Sequence, residues 1–153
     1  MKRTAFALVL AVSATVSAIG LAPVQAQPSA TARSSGITLA KQTMRVVKSG
    51  SFMALEHPTQ GTARIVMNGA QTMLELGSNF RSDSGPDLKV VLHRAAKPGM
   101  KLMEGDYIIL SSLQKTTGSQ SYMIPSNVNL AQYRSVAIWC HQFNATFGAA
   151  TLN

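Results

Sequence analysis

The sequence predicts an all-β domain, an antiparallel β-sandwich of about seven to nine strands. Three observations predict it. From Gly50 onward, turn-forming residues recur at short intervals: Gly61, Asn68-Gly69, Gly77-Ser78, Gly85-Pro86-Asp87, Pro98-Gly99, Gly105-Asp106, Gly118-Ser119 and Pro125-Ser126. The runs between them are short and rich in Val, Ile, Leu, Thr and Tyr, side chains that fit a pleated, half-buried surface. No segment after Gly50 keeps a helical apolar period over a useful length.

Taken in order, Thr38–Val47 stays open between one helical turn and an edge strand. Thr62–Met67 and Gln71–Leu76 flank Asn68-Gly69, a dipeptide that favours a type I′ hairpin turn. In the first of these strands Ala63, Ile65 and Met67 alternate with Thr62, Arg64 and Val66. Leu88–His93, Tyr107–Leu113 and Ser121–Ile124 follow as strands, and Asn129–Tyr133 as one turn of helix. The last element is one long run from Ser135 to about Leu152. Val136, Ile138 and Cys140 share one of its faces, and Ala137, Trp139, His141 and Phe143 the other. Apolar residues on both faces predict a central strand covered on each side.

Composition narrows the function. The chain has 153 residues, 46% apolar and 13% charged, which suits one folded domain and excludes a disordered chain. A single cysteine excludes an internal disulfide framework and a multi-cysteine metal site. No nucleophile elbow accompanies a Ser-His-Asp set, and no phosphate-binding glycine loop is present, so nothing points to an independent hydrolase.

The N-terminus reads as an export signal. Lys2 and Arg3 precede an apolar run from Ala5 to Leu21, followed by Val24-Gln25-Ala26 with small residues at the cleavage positions. Residues 1–26 are expected to be a signal peptide, 27–48 a flexible lead-in, and 49–153 the β-domain, secreted or periplasmic. The apolar run is short and rich in Ala, Ser and Thr, poor material for an uncleaved anchor, and no stable membrane span remains after cleavage. Losing Lys2 and Arg3 takes the net charge from +8 to +6. The remaining cations are scattered and not interleaved with aromatics, which argues against nucleic acid and for solubility and attraction to an acidic partner.

Several stretches carry a resemblance. They are Ser49-Gly50-Ser51-Phe52, His57 with Gly61, Gly85-Pro86-Asp87-Leu88, Gly118-Ser119-Gln120-Ser121-Tyr122 with Ile124-Pro125, and Ile138-Trp139-Cys140 with Phe143 and Phe147-Gly148. In this order they resemble the DM-thirteen domain, an extracellular β-domain known as an electron-transfer domain, over roughly Ser49 to Leu152. The resemblance implies an exported redox or electron-transfer module centred on Cys140, acting as a bare, partly accessible thiol or as ligand to a haem-like group. Such a haem would be non-covalent, because the Cys-x-x-Cys-His attachment is absent.

Read from the residues alone, Cys140 keeps three alternatives: an inert, buried small hydrophobe, a redox-active thiolate or iron ligand, or half of a disulfide-linked homodimer. On a regular strand His141 points away from Cys140, which argues against the two sharing a metal. His57 reads as a loop hydrogen-bonding residue, Asp87 as a turn cap, and Met100 and Met103 as loop or core residues rather than axial ligands. The alternative function is a non-catalytic extracytoplasmic ligand- or protein-binding sandwich in which Cys140 is structural. The expected mature N-terminus is Gln27, which intact-mass spectrometry of exported material checks; a chain still beginning at Met1 would overturn it.

Overall fold

The structure, a computed structural model, describes residues 43–153. The expected signal peptide and residues 27–42 of the expected lead-in lie outside the described residues. The strands are β1 (Arg45–Ala54), β2 (Thr59–Gln60), β3 (Thr62–Asn68), β4 (Gln71–Leu76), β5 (Arg81–Ser82), β6 (Leu88–His93), β7 (Tyr107–Ser112), β8 (Gln120–Ile124), β9 (Ser135–Cys140) and β10 (Ala145–Thr151). A 3₁₀ turn, Leu130–Gln132, is capped by the Asn129 side chain. Eight strands form one antiparallel sheet in the order β7-β6-β9-β10-β1-β3-β4-β8, and β2 pairs with β5. The end strands β7 and β8 also touch, so the sheet curls into a sandwich-like, nearly closed arrangement. The all-β antiparallel expectation holds.

The curl depends on β1. Arg45–Ser51 pair with β3, with a bulge between Val46 and Lys48. Phe52–Ala54 then pair with β10. One strand thus serves two halves of the sheet, and at the crossover its backbone runs against the end of β10. A Cβ on Gly50 would fall onto the Thr151 carbonyl, so only glycine allows this approach. The sequence reading placed Arg45–Lys48 in a lead-in while leaving Thr38–Val47 open to an edge strand; the strand is the outcome from Arg45 on, ordered by a partner, β3, that local pattern does not reveal.

Two further readings change. The final run is two strands, not one. β9 and β10 pair antiparallel through Cys140↔Ala145, joined by a turn in which Asn144 takes a φ of 48°. Asparagine tolerates this left-handed conformation better than most residues. Its Oδ1 accepts from Leu102 N (2.9 Å) and Trp139 Nε1 (2.9 Å), holding the turn in place. The β3–β4 hairpin forms as expected, but Asn68 pairs with Gln71, so Gly69 and Ala70 are the turn. Gly69 has a φ of 60° and Ala70 is not positive, the pattern of a type II′ turn rather than I′.

All six residues of β9 are buried, as its two apolar faces predicted. Val136, Ile138 and Cys140 join Leu74, Phe80, Val90 and Leu92 in the inner core. On the other face, Ala137 and Trp139 pack with Val91, Leu102, Ala149 and Tyr107 beneath the connection from Arg94 to Asp106. Burial obliges Ser135 to find a partner, and its hydroxyl donates to Ala95 O at 2.7 Å.

Gly50→Ala should cost about 1–3 kcal/mol by overpacking, read as a lower urea midpoint at unchanged m-value. Gly99→Ala, whose Cβ would meet only Lys101 O at 3.6 Å, should stay within about 0.5 kcal/mol of the parent.

Candidate functional site

The residues singled out by the sequence gather unevenly around one end of the sheet, where β6 begins, β9 ends and β10 begins. Cys140 is the last residue of β9 and faces inward. Its Cα partners are Leu88 on β6 and Ala145 on β10, so apolar side chains flank it on both sides. It is a free cysteine with 0% exposure. The expectation of a partly accessible sulfur is therefore overturned: the two neighbouring strands and the core close over it. A buried sulfur also has no route to a second chain's cysteine without opening the fold.

Above this end runs the Asp83–Asp87 loop. Gly85 packs so closely that a Cβ there would lie 2.9 Å from Leu88 Cδ2 and 3.0 Å from Phe147 Cζ. Each end of the loop presents a carboxylate to a histidine. Asp83 Oδ2 lies 3.5 Å from His57 Nδ1, and the His57 ring stacks on Phe147 with centroids 3.9 Å apart. Asp87 Oδ2 lies 3.1 Å from His141 Nδ1, and its Oδ1 2.7 Å from Lys89 Nζ. The backbone repeats the link, since His141 N donates to Asp87 O at 3.0 Å. Asp87 thus acts across strands rather than as the local turn cap the sequence suggested. Lys89, two residues on from Asp87, was not singled out, because in the sequence it is one scattered cation among many.

The Lys89 hydrogen bond, with the His141 bond adding to it against a smaller opposing effect of burial, holds the Asp87 carboxyl below its ordinary value. His93, at the other end of β6, pairs with Ser135. That is five residues along the strand from Leu88, or about 17 Å. Burial pushes its imidazole toward the neutral form, with Asp106 and the Ala95 amide opposing, and Nδ1 accepts from Ala95 N at 3.0 Å. His57, His93 and Cys140 therefore do not converge. Among the described residues no three His, Cys, Asp or Glu side chains form a metal-holding group. Met100 and Met103 are exposed on the outer connection, as a loop role predicts.

A haem at Cys140 can be tested against this geometry. A groove of about 290 Å³ at this end is lined by Ser84–Leu88 and Ser112–Thr116, and Cys140 is not among its lining residues. Leu88 and Ala145 occupy the space a porphyrin face would need. The residues present do not fit a haem iron on Cys140.

On the outer face, Trp139 is 3% exposed. Its ring lies 4.9 Å from that of Tyr107 and 5.0 Å from that of His141. Tyr122 packs in the inner core and donates to Gln120 Oε1 at 2.6 Å. Both are core aromatics.

Comparison with known proteins adds one finding. A family model described as electron transfer DM13 matches residues 51–152, which takes in Phe52, both His–Asp pairs and Cys140. Neither the curated proteins nor the solved structures gave a match.

Because the folded Asp87 carboxyl titrates below the unfolded one, its stabilising contribution is present above the unfolded value, about 3.9, and lost as pH falls through the lower folded value. Asp87→Asn should therefore flatten the acid limb of the stability profile below about pH 4, read from thermal midpoints across an acid titration.

Proposed function

Because the chain belongs to the electron transfer DM13 family, we propose that it works as an exported electron-transfer module with Cys140 as its redox-bearing residue. The observation that carries the reading is the extent of the match, which covers nearly every strand of the domain. Export is supported by the charged start, the apolar run and Val24-Gln25-Ala26. The role of Cys140 is supported by its being the sole cysteine in the chain, within Ile138-Trp139-Cys140. Its burial narrows the chemistry. Thiol–disulfide exchange needs a partner sulfur to reach the attacking one, so the reading requires electrons to travel through the protein rather than a mixed disulfide at the surface. The net positive charge favours an acidic donor or acceptor, met in a short-lived encounter.

A second reading is favoured by a specific observation, the complete burial of the thiol. A buried cysteine packed against Leu88 and Ala145 serves as a small hydrophobe, and the module would then use its loops to bind a ligand or protein. Fold does not separate these, since function resides in sites.

Cys140→Ser separates them. It buries a hydroxyl in an apolar setting, at a cost of about 1–3 kcal/mol. Under the first reading the variant remains folded but loses electron exchange with a small soluble haem protein, followed by stopped-flow absorbance. Under the second it loses stability alone. Native protein should also react with a maleimide no faster than it unfolds.

A further inference from the structure

A covered sulfur leaves open how electrons would enter and leave the domain. The outer face of β9 offers a route to the surface that begins at the residue preceding the cysteine in the chain. Trp139 follows Ile138 and precedes Cys140 in the chain, with its indole on the face opposite the inner core. It is 3% exposed, shielded by Leu102 and the Arg94–Asp106 connection. Its Nε1 donates to Asn144 Oδ1 at 2.9 Å, which fixes the ring. Two rings reach it, each leading toward solvent. Half-buried Tyr107 lies at 4.9 Å and 54°, and exposed His141 at 5.0 Å and edge-on. Lys89, opposite Trp139 in register, has its charge met by Asp87, which lessens its opposition to an electron hole on the indole.

Tryptophan and tyrosine, with cysteine, are the side chains most readily oxidised by one electron. Tunnelling falls exponentially with separation, so rings in contact exchange electrons far faster than isolated ones. We propose that Trp139 and Tyr107 form a one-electron relay between the interior of the domain and its surface, with His141 as the outer contact over the indole. The proposal rests on the electron-transfer reading of the module. In the forward direction, a partner's oxidised metal centre takes one electron from the indole, leaving a radical cation. Tyr107 returns one electron to it and releases its phenolic proton to water, becoming a neutral tyrosyl radical. One electron from the reduced metal centre of a donor protein and a proton from water restore the tyrosine.

Flash photolysis of the full mature domain with a ruthenium polypyridyl photo-oxidant and a sacrificial acceptor tests this without any physiological partner. The wild type should show an indole radical whose decay matches the rise of a tyrosyl radical. Tyr107→Phe should lengthen the indole radical lifetime several-fold and remove the tyrosyl signal, although Tyr122 and Tyr133 remain. Trp139→Phe should slow tyrosyl formation several-fold. Tyr107→Phe substitutes a ring of the same size at a half-buried site, so it tests the relay even where the tryptophan variant fails to fold. An unchanged indole lifetime, or an undiminished tyrosyl signal in Tyr107→Phe, overturns the relay. Exchange with a soluble haem protein reads the module's function separately, so a relay that works in a protein that passes no electrons to that partner would sink the function and not the relay.

Discussion

The arrangement of this domain depends on burying both faces of β9. A strand with one polar face can lie at the surface of a sandwich; Ser135–Cys140 cannot, since all six residues are covered. Two layers must therefore meet it. The curled sheet supplies the inner one, through Val90, Leu92 and the aromatic residues of the main core. The Arg94–Asp106 connection supplies the outer one, placing Leu102 and Tyr107 over Ala137 and Trp139. This long connection is anchored where its backbone meets the sheet: Thr146 N donates to Met100 O, and Leu102 exchanges hydrogen bonds with the Asn144 side chain. A buried backbone needs such partners, and here they also shape the β9–β10 turn.

The same constraint separates the two oxidisable residues of the motif. Successive strand residues point to opposite faces, so Trp139 and Cys140, neighbours in the chain, belong to different cores. Cys140 is sealed by its strand partners, while Trp139 is linked by ring contacts to residues that meet solvent. The polar chemistry of this end lies outside both cores. Asp83 and Asp87 clasp one loop to His57 and His141, with the loop packed on Leu88 and Phe147 through Gly85. The result is an apolar interior under a charged rim, with little room for a bound group beside the sulfur.

Much of the fold was legible in the sequence where turns are chemically marked. β4 and β6 fall on the predicted residues, and β3, β7 and β8 differ from prediction by one residue at an end, because Gly, Pro and Asn punctuate them. The missed features lack such marks. The turn between β9 and β10 contains His141, Gln142, Phe143 and Asn144, with no Gly or Pro, so the run read as continuous. β1 was left undecided at its start and its length was not foreseen, because its exposed, partly polar residues are ordered by pairing first with β3 and then with β10. The candidate site was legible to the same degree. Cys140 and Asp87 stood out, but the pairing of Asp83 with His57 and of Asp87 with His141 depends on neighbours distant in the chain.

By itself, the sequence determined that this is an all-β domain with a two-faced central strand, one cysteine and the motif order of its family. These follow from alternation and turn chemistry, which act over a few residues. Only the tertiary structure decided that the sulfur is closed off, that the indole lies on the far side of the strand among other rings, and that two carboxylates hold one loop. Each of these depends on which strands become neighbours and in what register. A shift of one residue in that pairing would have turned Cys140 outward and Trp139 into the core.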